Sequence, residues 1–361
     1  MRAMKFVFRA LIFALLLGGS TSIVAISFAQ TSIYKAPVSG PSAGTQRVAL
    51  TYRASFDIPA PVDGEVKVTV PFPADDEVQR VEKYSFGSAM SPEKLLSVSL
   101  QRDAVYGNRT LEIRVLNPAP NDELVFEYVI SRKEKSNPLD VPMKLDAQIL
   151  PAEKKFAELR GSAEDNEQIV KFAQTIVKPE MTRDQQITAI YNYAISPAAT
   201  KGNEDGKIEG NKEVSPWKPQ HGDSGEVSNL AAGVARAAEI PAKLEFGILI
   251  PAGKEAGEIS SFHTWAGLHH SQRGWIPIDA FEGAARKRYS DYYLGRLDSN
   301  RITFTVGRES WEYSMTDNII APRAEIVERQ PQVLPMKLEI SFKRLPSSNP
   351  MITPAQSSGV E

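Results

Sequence analysis

Three residues of this chain have the types and order of a hydrolytic or acyl-transfer unit: Ser224 in "HGDSGEVSNLAAGVARAAEI", His263 in "SSFHTWAGLHH" and Asp279 in "GWIPIDAF". In such a unit an imidazole takes the proton of the nucleophile and a carboxylate orients the imidazole. Asp223 is placed as an N-cap and Glu226, three residues on, as its capping-box partner, so Ser224 falls at the first helical position. The unpaired amides and the dipole of a helix start favour negative charge there, which suits a nucleophile and an oxyanion alike. Alternation along a strand sends His263 and Trp265 to one face. A short turn over Ser271 to Gly274 makes the following strand the antiparallel neighbour and can bring Asp279 beside His263.

Taken singly, each residue also has a plainer reading. Ser224 suits a helix start and Asp223 a cap, Trp265 and Trp275 suit the core of a sheet, and Trp217 either packs or lines a cleft. His221 on its polar loop is expected to be exposed. His269 and His270 suggest a metal pair, but neighbours on a strand point to opposite faces, so no metal is expected there. "KGNEDGKIEGNKE" resembles a calcium loop with Lys201 and Lys212 in two ligand positions, which argues against calcium. The sequon at Asn108 is too short a pattern to carry weight.

The elements that must position the three residues follow from periodicity. Val227, Leu230, Val234 and Ala238 give Ser224 a helix with one buried stripe, ending before Pro241. Leu244, Phe246, Ile248 and Ile250 predict a strand after it. Upstream, Ile169, Phe172, Ala173 and Ile176 share one helix face; Thr182 and Gln185 form a capping box for a second helix carrying Ile187, Ile190, Tyr191 and Ala194, stopped by Pro197. Before residue 135 the period is two, at Val48 to Ile58, Val66 to Val70, Leu96 to Leu100, Leu111 to Val115 and Leu124 to Ile130. That predicts a small antiparallel sandwich. Leu338, Ile340 and Phe342 add one more strand.

Length and composition bound the rest. The 361 residues are 42% hydrophobic and 24% charged, ordinary for two or three globular domains. With 42 basic and 44 acidic residues, a net charge of −2 and no charged block, no nucleic-acid partner is expected. There is no cysteine, hence no disulfide, thiolate metal site or thiol nucleophile. Arg2, Lys5 and Arg9 precede an apolar run and a small-residue site at Ser27 to Ala29, the form of a cleaved secretory signal; the alternative is an uncleaved helical anchor. The expected organisation is a signal over 1–29, a flexible linker over 30–45, the sandwich over 46–135, a linker over 136–162, an α+β domain over 163–312, a C-terminal strand region over 313–345 and a disordered tail over 346–361.

"GDSGEVSNLAAGVARAAEIPAKLEFGILIP", "SFHTWAGLHHSQRGWIPIDAFEG" and "DYYLGRLDSNRITFTVGRE" resemble the bacterial transglutaminase-like family, which has the papain-like cysteine-peptidase fold. The resemblance spans roughly Ala163 to Glu309 and implies helices packed on an antiparallel sheet, with a cysteine at the helix start, a histidine in a His-x-Trp strand and an aspartate in a Gly-Trp-x-x-x-Asp strand. Here His263 and Asp279 match, Ser224 stands where the family has cysteine, and Gly267 stands where an acidic residue is common. A hydroxyl is far less acidic than a thiol, so the resemblance implies chemistry lost or weakened at Ser224. The expected function is that of an exported protein holding a peptide, protein or cell-wall-like ligand, with no cofactor and no membrane contact beyond the signal segment. The alternative is an active serine hydrolase or acyltransferase using Ser224, His263 and Asp279. A third possibility is an assembly protein that binds through its sandwich.

Overall fold

The computed structural model describes residues 40–42, 44–142, 154–159, 163–196, 224–259, 262–307, 321–327 and 332–346. The signal segment, the tail beyond Pro346, Trp217, His221, Asp223 and the loop over 201–212 lie outside them.

Alternating apolar residues do fold as strands. β1 (Thr45–Phe56), β2 (Glu65–Phe72), β4 (Leu95–Arg102), β5 (Arg109–Leu116) and β6 (Glu123–Lys133) coincide with the runs read from the sequence, and β3 (Gln79–Ser88) is added. β3 escapes the period-two pattern because most of its residues are exposed and its register against β6 shifts between Val81 and Lys83.

The expectation that the sandwich closes near Lys135 is corrected by its pairing. Its first sheet runs β3-β6-β1-β16-β9, where β16 (Met336–Leu345) pairs antiparallel with β1 over ten positions, Arg47 with Leu345 through Phe56 with Met336. β9 (Ala256–Ile259), far from both in sequence, forms the edge. The second sheet runs β15-β14-β2-β5-β4 and takes β14 (Arg323–Ile326) and β15 (Val333–Leu334) from the C-terminal region. Local periodicity marks a strand but not its neighbour, so these long-range partners were invisible. Leu96, Val98 and Leu100 alternate as expected yet stay exposed, because β4 is an edge strand with a register shift between Leu95 and Ser97.

Helices α1 (Ala163–Ile176), α2 (Arg183–Ala194) and α3 (Ser224–Ala237) precede a four-stranded antiparallel sheet in the order β11-β10-β8-β13. Its strands are β8 (Ala242–Leu249), β10 (Phe262–His270), β11 (Gly274–Ile278) and β13 (Arg301–Val306). Thr182 caps α2 reciprocally with Gln185, as the sequence predicts. Ala242, Leu244, Ala266, Leu268, Ile276 and Ile278 pack against Ile169, Ile187, Tyr191, Val227, Leu230 and Val234 of the helices. Ile248, Ile302 and Phe304 of the same sheet, and Ile250 just after β8, belong instead to the sandwich core with Leu50, Phe126 and Phe342.

The stretch after residue 135 is tied down where it is described. β7 (Lys135–Ser136) pairs with β12 (Arg296–Leu297), Asn137 Nδ2 donates to the carbonyls of Arg273 and Trp275, and Phe156 meets Trp275 edge-on at 5.2 Å. Gly247 is where β8 can least carry a side chain: a Cβ there would stand 2.0 Å from the Ile302 carbonyl oxygen and 2.6 Å from the Trp265 ring.

Because one apolar cluster takes residues from both halves, they are expected to melt together. Phe304→Ala is expected to lower stability by about 3–5 kcal/mol in a single denaturant transition followed by both fluorescence and circular dichroism. Two separated transitions would show that the halves fold independently.

Candidate functional site

His263 enters β10 opposite Gly247 of β8, on the sheet face that also carries Trp265, Glu245 and Thr303. Its ring lies between Trp265, stacked at 6.0 Å, and Phe281, edge-on at 5.7 Å, and is 4% exposed. β10 and β11 pair from Ala266 with Ile278 to His270 with Gly274, and the chain then turns at Asp279 into the short helix α4 (Ala280–Ala285). Asp279 is the N-cap of α4: its Oδ1 accepts from the Glu282 amide at 3.0 Å, leaving Oδ2 to face the histidine.

Asp279 Oδ2 lies 2.7 Å from His263 Nε2. An ionised carboxylate only accepts, so Nε2 carries the proton of this bond and Nδ1 is the nitrogen left for other work. The same oxygen accepts from Arg301 Nη1 at 2.9 Å, and Arg301 Nη2 donates to Asp298 Oδ2 at 2.9 Å. Complete burial pushes the Asp279 carboxyl up, but the hydrogen bond from His263 and the Arg301 guanidinium outweigh it and hold the group well below the usual carboxylate range. Asp298 is likewise held low by Arg301 against its burial. Glu282 goes the other way: burial raises it despite its pairing with Arg286 at 2.6 Å.

Ser224 is the first residue of α3, half-buried, and its Oγ accepts from the Thr264 amide at 3.2 Å. One turn on, Ser228 Oγ donates to the Thr264 carbonyl at 2.9 Å. The two serines thus grip both sides of the residue that follows His263. The structure brings His263 and Asp279 into direct contact and sets the Ser224 hydroxyl against the adjacent peptide. A backbone N–H aimed at Oγ would stabilise negative charge on that atom.

Sequence reasoning missed the charges behind the histidine. The Trp265 indole donates to Glu245 Oε2 at 2.8 Å, while Glu245 Oε1 pairs with Lys135 at 3.0 Å and Lys243 at 3.2 Å. Burial would raise Glu245, but Lys135, Lys243 and Arg132 hold it well below the usual range. Arg132 Nη1 donates to Gln79 Oε1 and Thr303 Oγ1, and burial drags its guanidinium down to about 10. The signal was present in "KLEFGILI" and "NRITFTV": a charge on a strand buried on both faces needs a partner. Gly267 adjoins Lys243, whose Cε lies 3.2 Å from where a Cβ would stand.

Trp265 has the core position read from the sequence, whereas Trp275 is only partly buried, packed on His269 at 5.1 Å. His269 and His270 are both buried, and His270 Nε2 lies 3.1 Å from Asp184 Oδ1. Among the described residues no group of three or more His, Cys, Asp or Glu is placed to hold a metal.

Residues 170–280 match the model of the transglutaminase-like superfamily, and with the topology above this part of the chain is a transglutaminase-like α+β domain joined to an N-terminal β-sandwich. No curated protein matches the sequence. Among solved structures, a candidate cysteine protease from Cytophaga hutchinsonii aligns at 10% identity over 82% of this chain and 91% of that one, with a TM-score of 0.49. The periplasmic domain of TgpA from Pseudomonas aeruginosa, bound to ethylmercury, aligns at 14% identity over 68% of this chain and 93% of that one, with a TM-score of 0.35.

The charge on Asp279 predicts an acid-sensitive site. A carboxyl whose folded value is depressed stabilises the fold above its unfolded value of about 4 and loses that contribution as pH falls toward the folded value. Asp279→Asn is expected to cost about 3–5 kcal/mol at pH 7, because it leaves Arg301 underpaired. The gap from wild type should narrow between pH 5 and pH 3 in urea unfolding; a constant gap would mean that Asp279 carries no net charge in the fold.

Proposed function

We propose, from a transglutaminase-like domain in which Ser224 takes the place of the nucleophilic cysteine, that this protein is exported and holds a peptide or peptidoglycan-like chain at this site without processing it. The carrying observation is the pairing of His263 Nε2 with Asp279, together with a hydroxyl rather than a thiol at the helix start. The pair leaves Nδ1 free to act as a base, but a serine hydroxyl is several pKa units less acidic than a thiol. A base adequate for a thiolate therefore leaves most of the serine protonated. Export is supported by the basic, apolar and small-residue order of the first thirty residues.

A second reading, a serine hydrolase or acyltransferase, is favoured by one specific contact: the Thr264 amide donates to Ser224 Oγ and would stabilise an alkoxide forming there.

Intact mass after exposure to a fluorophosphonate probe separates the two. The expected result is no adduct on the wild type, and alkylation of Ser224→Cys at pH 7 about tenfold or more faster than a free thiol, since a helix start and an adjacent imidazole lower thiol pKa. One adduct on the wild type that vanishes in Ser224→Ala would establish the serine enzyme instead. Ligand holding is checked on an array of extended and cell-wall peptides, where wild-type capture that fails in His263→Ala is expected and no capture at all would overturn it.

A further inference from the structure

Arg301 has no exposed surface and sits between two carboxylates, Asp279 and Asp298, each 2.9 Å from a different terminal nitrogen. Its guanidinium carbon lies 5.0 Å from the centre of the Trp265 ring, the same ring that stacks on His263. The Asp279 oxygen it grips is the one that faces His263 Nε2. Asp298 is itself pinned: Oδ1 accepts from the Asn300 amide at 2.9 Å, and Oδ2 lies 3.4 Å from the Tyr293 hydroxyl.

We propose that Arg301 is the positioning residue of this site: it holds Asp279 Oδ2 against His263 Nε2 and, by dividing its charge between Asp279 and Asp298, sets how firmly the imidazole keeps a second proton. The inference rests on the reading of His263 and Asp279 as the working pair.

The argument is one of charge. A carboxylate stripped of water strongly favours a cation beside it, and a histidine in hydrogen-bond contact can supply one by staying protonated. Arginine is permanently charged and its planar fork reaches two acids at once. It satisfies Asp279 without requiring an imidazolium, so a neutral His263 with a free Nδ1 is compatible with an ionised Asp279. Asp298 works in the opposite sense, since it draws off part of the arginine's charge. Counting these three groups leaves one net negative charge behind the imidazole. The other ionisable neighbours of this cluster are Glu282 with Arg286 on α4, Tyr293 after it, and Tyr191 on α2, whose hydroxyl donates to the Ser290 carbonyl. Behind Trp265 stand Glu245 and Arg132. All of these stay in place in the variants below.

The test is nitrogen NMR of ring-labelled full-length protein without ligand, following the His263 protonation curve. Arg301→Gln leaves two uncompensated carboxylates, and the His263 midpoint is expected to move up by about one pH unit or more. Asp298→Asn gives Arg301 wholly to Asp279, and the midpoint is expected to move down by a similar amount. Arg301→Lys keeps the charge but not the fork, so it should restore the midpoint towards wild type while its Nε2–H exchanges about tenfold faster than that of the wild type for want of a fixed carboxylate.

Opposite displacements are something a purely structural role would not give. Equal midpoints in folded Arg301→Gln and Asp298→Asn, or displacements of the same sign, would overturn the proposal. If Arg301→Gln does not fold, Asp298→Asn decides by its sign. Failure of all three to fold would count against it, marking Arg301 as a stability element only. The readout needs neither ligand nor Ser224, so it can fail while ligand holding stands, and the reverse.

Discussion

Asp279 is ionised with no surface exposed to water, and much of the surrounding architecture follows from holding that charge. Desolvating an isolated carboxylate costs several kcal/mol even after relaxation, far more than one hydrogen bond returns. Three donors together offset that cost, the Glu282 amide on Oδ1 and His263 Nε2 with Arg301 Nη1 on Oδ2. Each donor fixes an element. The amide fixes the start of α4, the imidazole fixes the start of β10 against the end of β11, and the guanidinium fixes β13, whose other contacts lead to β8. Arg301 is a buried charge in its turn and needs Asp298, which brings in the turn before β13 and the Tyr293 hydroxyl. A single ionised group thereby sets the relative places of a helix and three strands.

The sandwich takes part in the same arrangement. The sheet face that carries His263 and Trp265 also carries Glu245, whose cation partners include Lys135 at the end of the sandwich strand region, with Arg132 of β6 close behind. Arg132 is fixed by Gln79 of β3 and Thr303 of β13, and Gln79 Nε2 donates to the Thr303 carbonyl. Such buried pairs add little net stability when whole, but removing one member strands the other at a cost of about 3–5 kcal/mol. Their effect is on alternatives: any arrangement that slides the sandwich over the four-stranded sheet leaves charges unmatched. The shared apolar cluster through Ile248, Ile302 and Phe304 supplies adhesion, and the polar layer supplies register.

Much of this was legible before the structure. Period-two runs located five sandwich strands, the Thr182 and Gln185 pair located a helix start, and the two-strand turn after His270 placed Asp279 near His263, because each of those signals is local. What stayed hidden depends on distant partners. The place of β16 beside β1 is set by which faces remain to be covered, and Leu338, Ile340 and Phe342 say only that a strand exists. Arg301 looked like one polar residue in an apolar run; its meaning lies in Asp279 and Asp298, one of which is 22 positions away. β4 shows the converse, since its apolar alternation promised burial that an edge position does not provide.

The network bears on how a buried His-Asp pair should be weighed. Among the described residues the Ser224 side chain enters it through the Thr264 amide, whereas His263 and Asp279 are held by two aromatic rings, a guanidinium and a helix cap. Changing the side-chain atom at position 224 touches none of those four holds, so the packing of His263 and Asp279 places little constraint on it. Exchanging Asp279 would leave the buried Arg301 underpaired and destabilise the domain whether or not it is an enzyme. A histidine and an aspartate found in contact are thus accounted for by the charge balance of the scaffold and do not by themselves argue activity.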